Sequence, residues 1–216
     1  MKIRGAIFDM DGVLFDTERI YQQIWQKIAA ARHIELDSSF PAAISGTTGA
    51  QTRQIVEDYY RVSDGTDIID ECTKKVKEEL TRHVPMKEGV LEILHFLQEK
   101  KIPMAVGSSS SIQQIAFNLE KADIRGYFQE IVSGRQVAHG KPAPDIFLYA
   151  AERIKQKPAE CLVFEDSKNG VRAGYEAGCM TIMVPDMIEP TPDIIPCCFR
   201  ICASLTEAQR EIEAFL

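Results

Sequence analysis

From Pro85 to its C-terminal end this 216-residue chain alternates short apolar runs with longer segments of helical periodicity. No other feature restricts its fold as much. Apolar runs at 103–107, 130–133, 161–164, 181–184 and, more weakly, 198–201 are too short for core helices. Between them apolar residues recur on one helical face: Val90, Ile93, Leu94 and Leu97; Ile112, Ile115, Ala116 and Leu119; Ile146, Phe147, Ala150, Ala151 and Ile154. Strand and helix in alternation is the pattern of an α/β fold, a parallel sheet joined by crossover helices. Residues 3–8 supply another strand. Ser204-Leu205-Thr206-Glu207 has the form of a capping box and opens a closing helix.

Between the first and second strands, residues 16–85 carry helical patterns and no convincing strand. Ile20, Tyr21, Ile24, Trp25 and Ile28 form one stripe, and Ile68, Ile69, Cys72, Val76 and Leu80 another, enough for a small separate core. The expectation is a helical domain at 16–85 inserted into a core made of 1–15 and 86–216, with hinges near 15–16 and 84–87. A hydrophobic share of 45% can fill both cores.

The charge balance, 25 Lys plus Arg against 32 Asp plus Glu for a net −7, gives no positive field for nucleic acid or an anionic membrane. The first apolar run is broken by Asp9 and Asp11, far short of a signal peptide or a membrane span, so a cytoplasmic monomer is expected. Cys72, Cys161, Cys179, Cys197, Cys198 and Cys202 are scattered and read as free thiols; none completes a zinc set.

In an open parallel sheet, ligands bind beyond the carboxyl ends of the strands. Those ends are polar here: Asp9-Met10-Asp11-Gly12, then Gly107-Ser108-Ser109-Ser110, and Glu165-Asp166-Ser167, with Gly140-Lys141-Pro142 in a loop. If they meet, Asp9, Asp11, Glu165 and Asp166 oppose the single cation of Lys141 and raise one another's pKa. A divalent cation resolves the conflict, and donors without His or Cys favour Mg²⁺ over zinc. Such a metal can also bind a phosphate oxygen, which points to phosphoryl chemistry. Asp9 and Asp11, two apart on an extended segment, can face one substrate atom, one attacking while the other handles the proton. Gly12 permits a sharp turn, and Pro142 biases Lys141 toward an extended backbone.

These four segments, in this order and over nearly the whole chain, resemble the motifs of the haloacid dehalogenase superfamily, specifically its phosphatases with a helical cap. The resemblance implies a Rossmann-like core, the cap at 16–85, a Mg²⁺ cofactor and a small phosphorylated metabolite as substrate. It implies Asp9 as nucleophile, Asp11 as general acid and then base, and Ser108 and Lys141 as holders of the phosphoryl oxygens. It places the metal on Asp9, the Asp11 backbone carbonyl, Asp166 and Glu165, the last directly or through water. Backbone donors of Met10, Asp11 and Ser109 complete the phosphate cradle.

The segments at 16–19 and 163–171 are most similar to β-phosphoglucomutases and to sugar-phosphate or pseudouridine-5′-phosphate phosphatases. Candidate substrate contacts are Ser109, Thr17, Tyr21, Gly46 and Thr47, the last two in a specificity loop at 44–49. Where the mutases usually carry a phosphate-gripping arginine this chain has Gly49, and it has Tyr21 in place of their histidine. Both departures favour hydrolysis of a monophosphate, with Arg19 or Arg53 as substitutes if a second phosphate is held. A mutase and a pyrophosphatase stay open; a dehalogenase is disfavoured because those relatives lack the aspartate at Asp11. Thr17 is read as the N-cap of the first cap helix or as a partner of Asp11, His139 as an exposed loop residue or a proton relay, and Asn169-Gly170 as a turn leading into a helix or as an aid to orienting Asp166.

Overall fold

The computed structural model of the chain describes residues 2–45, 47 and 49–215. They form two compact units, one of Met1–Phe15 with Pro85–Leu216 and one of Asp16–Val84.

The first unit holds a six-stranded sheet, parallel throughout: β1 (Gly5–Phe8), β2 (Met104–Ser108), β3 (Glu130–Ser133), β4 (Cys161–Glu165), β5 (Met180–Met183) and β6 (Arg200–Ile201), in the order β3-β2-β1-β4-β5-β6. β1 and β4 are buried at every position, and Phe8 stacks on Phe164 at 4.5 Å between ring centroids. Residues hidden on both faces leave no polar alternation, which is why these strands read as continuous apolar runs. β6 is a short exposed edge, starting at Arg200 rather than 198.

The second unit is helical: α1 (Thr17–Ala31), α2 (Phe40–Ile44), α3 (Gly49–Tyr60) and α4 (Thr66–Arg82). Trp25, Phe40 and Tyr60 meet edge to face at its centre, and the Tyr60 hydroxyl donates to the Trp25 carbonyl at 2.8 Å. The N-cap position of α1 falls on Asp16, so Thr17 is the first helical residue and not the cap.

Five helices complete the first unit: α5 (Val90–Glu99), α6 (Ile112–Lys121), α7 (Asp145–Arg153), α8 (Lys168–Glu176) and α9 (Leu205–Glu213). The apolar face of α7, with Ile146, Phe147, Ala150 and Ala151, packs on Ile7, Ala105 and Val163 of the sheet. α8 gave no apolar stripe in the sequence, because its buried face is built from Gly170, Val171, Ala173 and Gly174, and small residues carry little hydrophobic signal. At α9 the capping box is only half made. Ser204 Oγ accepts from Glu207 N at 3.3 Å, but the Glu207 carboxylate reaches back to the Ala203 amide at 2.6 Å.

β1 and β4 are neighbours in space but come from opposite halves of the strand order. From β1 the chain progresses toward β3 on one side, and from β4 toward β6 on the other. This reversal is the topological switch point, where the adjacent loops diverge and leave a crevice at the carboxyl ends. Among the described residues, no helix is long and apolar enough to cross a membrane.

Candidate active site

The register across the switch point pairs Phe8 with Phe164, and the Asp9 amide donates to the Phe164 carbonyl at 2.9 Å. Asp9 and Glu165 therefore leave adjacent strands side by side. Both are almost fully buried. Lys141, from the loop before α7, inserts its ammonium between them and donates to Asp9 Oδ1 at 2.5 Å and to Glu165 Oε1 at 2.6 Å. The Lys141–Pro142 peptide is cis.

The Asp9 carboxyl is raised to about 8, chiefly by burial, with the Lys141 charge pulling it down and Glu165 and Asp11 pushing it up. For Lys141, burial favours the neutral amine, but Asp9 and Glu165 outweigh it and the ammonium is held above its ordinary range. One cation is thus shared by two buried carboxylates, with two more close by.

Carboxylate oxygens of Asp9, Glu165 and Asp166 lie within 4.8 Å of one another. The donor set is hard oxygen only, which suits Mg²⁺ and not a thiolate- or imidazole-seeking metal. The surrounding backbone is shaped around it. Gly12 has φ +83°, and a Cβ there would collide with the Asp166 carboxylate; a Cβ on Gly170 would collide with that of Glu165. Glu165 Oε2 accepts from the amide and hydroxyl of Ser167 at 2.8 and 2.9 Å, at the N-terminus of α8, where free amides favour a negative charge.

Asp11 is not part of this cluster. The strand ends at Phe8, and residues 10–15 curl back, with Leu14 N and Phe15 N both donating to the Met10 carbonyl at 3.0 Å. In that curl Asp11 Oδ2 accepts from Ser110 Oγ at 3.1 Å. Ser110 was not singled out from the sequence, where it stands in a run of four serines. The structure separates them: Ser108 is buried and accepts from Ser110 N at 3.1 Å, Ser109 is exposed, and Ser111 caps α6. Ser133 Oγ donates to the Ser110 carbonyl at 2.6 Å and fixes the loop from below.

Among the remaining candidates, His139 is exposed, with Nδ1 3.1 Å from Asp145 Oδ1. Ser167 caps α8, and Asn169 and Gly170 lie in its first turn. In the helical unit Thr17 is buried at the start of α1, Tyr21 is half-buried on the same helix, and Thr47 Oγ1 donates to the Ile44 carbonyl at 2.8 Å and lies 3.0 Å from Thr52 Oγ1. Gly46 lies outside the described residues, while Gly49 starts α3 at φ +60° with open space around it.

A family model described as haloacid dehalogenase-like hydrolase matches residues 6–184. A phosphorylated carbohydrates phosphatase of Thermotoga maritima is 33% identical over 180 residues, covering 82% of this chain and 82% of that protein. A fructose-1-phosphate phosphatase of Escherichia coli is 32% identical over 176 residues, covering 81% and 92%. Among solved structures, a hydrolase of the same family from Deinococcus radiodurans, with bound phosphate and sodium, superposes with a TM-score of 0.82 at 27% identity, covering 98% of this chain and 96% of that one.

Proposed function

The chain belongs to the haloacid dehalogenase-like hydrolases, and from that premise we propose that it is a Mg²⁺-dependent phosphoric monoester hydrolase acting on a small phosphorylated metabolite, a sugar phosphate or nucleotide-like ester, through an aspartyl-phosphate on Asp9. The observation that carries this reading is the cluster of buried Asp9 and Glu165 with half-buried Asp166 at the switch point, with Lys141 bonded to the first two. The names of the relatives, both phosphatases of sugar phosphates, favour the same class of substrate.

In this mechanism an Asp9 oxygen forms a bond to phosphorus as the ester P–O bond breaks in line with it. The Asp11 carboxyl gives its proton to the departing oxygen, so the alcohol leaves neutral. The resulting carboxylate then takes a proton from water as that water attacks the Asp9 acyl phosphate, which restores Asp9 and frees phosphate. The Lys141 ammonium and the Ser108 hydroxyl stabilise the charge that develops on the equatorial oxygens. Asp9, Asp166, the Asp11 carbonyl and Glu165 would hold Mg²⁺, which would supply further positive charge against phosphate and carboxylates.

The leaving group is read by the helical unit as a cap, through the loop at 44–49 and through Tyr21. Neither Gly49 nor Tyr21 offers a cation for a second phosphate, so a monophosphate fits best. The test is phosphate release from a panel of sugar phosphates, nucleotides, pseudouridine 5′-phosphate, phosphoglycolate and pyrophosphate, with Mg²⁺ and with EDTA. EDTA-sensitive release from a monoester is expected; isomerisation of β-glucose 1-phosphate without release would make the protein a mutase instead.

A further inference from the structure

Lys87 and Asp186 are 99 residues apart in sequence, and neither belongs to the machinery above. Yet Lys87 Nζ donates to Asp186 Oδ1 at 2.6 Å, with side-chain exposures of 20% and 3%. Desolvating two such charges offsets much of their attraction, and apolar pairs of similar volume commonly stabilise a fold as well. Asp186 Oδ2, also buried, has no hydrogen-bond partner among the described residues. Stability alone is a poor account of the pair.

Its connections suggest another. The Lys87 amide donates to the Leu14 carbonyl at 3.0 Å, and the preceding Met86 bridges to Phe15. Leu14 and Phe15 close the curl that contains Asp11, which Gly12 N ties off on the Phe15 carbonyl at 2.8 Å. On the other side Asp186 lies two residues beyond Val184, whose amide donates to the Glu165 carbonyl at 2.7 Å. The ion pair therefore links the curl that carries Asp11 to the rim of the sheet that carries Glu165 and Asp166.

We propose that the Lys87–Asp186 pair is a positioning clamp that holds Asp11 in register with the metal-binding ends of β1 and β4, so that its carboxyl meets the departing oxygen. The proposal rests on the phosphatase reading. Proton transfer is sensitive to placement, and its value depends on the leaving group. Phenolate needs the proton, whereas p-nitrophenolate leaves almost without it.

The test compares kcat/KM, which reports the first phosphoryl transfer, for phenyl phosphate and p-nitrophenyl phosphate in Mg²⁺. The double variant Lys87→Met with Asp186→Leu removes the charges and keeps the packing. Expected is a roughly ten- to hundredfold loss for phenyl phosphate against at most about threefold for p-nitrophenyl phosphate, with Tm close to that of the wild type. A structural role alone would not separate the two esters, so losses that do not favour phenyl phosphate, or no loss, overturn the clamp. Lys87→Gln, at a partly exposed side chain, covers the case in which the double variant does not fold. It carries the same selective loss in smaller measure, and an unchanged ratio there is equally fatal. Failure of the phosphatase reading looks different: the wild-type protein would then release phosphate neither from these two esters nor from the monoesters of the substrate panel.

Discussion

Asp9 is placed where a carboxylate is costly. It is buried beside Glu165 with half of one ammonium for company, and burial pushes it up to about 8 from an ordinary 3.8. Without metal the folded protein holds a proton there that the unfolded chain has released above pH ~4, so stability is fully present below about pH 4 and is lost as pH climbs to about 8. Asp9→Asn removes that slope. In EDTA its Tm is expected to gain on the wild type as pH is raised from about 5 to about 8, while phosphate release falls by on the order of 10³-fold or more. Parallel Tm curves for the two proteins would mean that Asp9 does not titrate in this window. Gly170 is constrained by the same cluster, since its missing Cβ makes room for the Glu165 carboxylate. Gly170→Ala should lower stability by about 1–3 kcal/mol through overpacking and weaken Mg²⁺ binding, measured by calorimetric titration; an unaffected Mg²⁺ affinity would show that Glu165 can move without consequence for the metal.

At the level of elements, the N-terminus of α8 does two things with one side chain. Ser167 Oγ accepts from Gly170 N at 3.0 Å as the helix cap and donates to Glu165 Oε2 at 2.9 Å. Ser167→Ala is expected to cost about 1–2 kcal/mol and to raise the Mg²⁺ concentration needed for activity, whereas Ser204→Ala, a cap of the same kind on α9, should cost similar stability with activity intact. Equal activity in the two variants would leave Ser167 as a cap only. The strands that deliver the site were legible because each is a short apolar run closed by a polar residue. Asp9, Glu165 and Asp166 stand at the ends of two such runs, and Lys141 is marked by the glycine and proline on either side of it. α8 was signalled only by its entry at Asn169-Gly170, because Gly174 is there to let Thr181 approach, and a helix packed by its glycines has no apolar stripe. Ser110 on Asp11 and Lys87 on Asp186 were hidden for another reason. Each pair joins residues 99 apart through side chains whose local sequence is ordinary.

Of the two compact units, one contains the candidate metal ligands. Asp9, Glu165 and Asp166 belong to the unit of Met1–Phe15 with Pro85–Leu216, whereas the single tryptophan of the chain, Trp25, is buried in the unit of Asp16–Val84 against Phe40 and Tyr60. A ligand that binds only the folded state stabilises it by RT ln(1 + [L]/Kd), about 2.7 kcal/mol at a hundredfold excess over Kd. For a unit of this size that is about 5–10 °C in Tm. Saturating Mg²⁺ should therefore raise the midpoint of the far-ultraviolet circular dichroism transition, to which the sheet and α5–α9 contribute, by about that amount. Trp25 fluorescence, which reports the helical unit, should move less. Separate responses would establish that the helical unit folds on its own core and that the metal stabilises only the other unit. A common shift would mean that the two unfold as one, with the stability of the helical unit coupled to the metal.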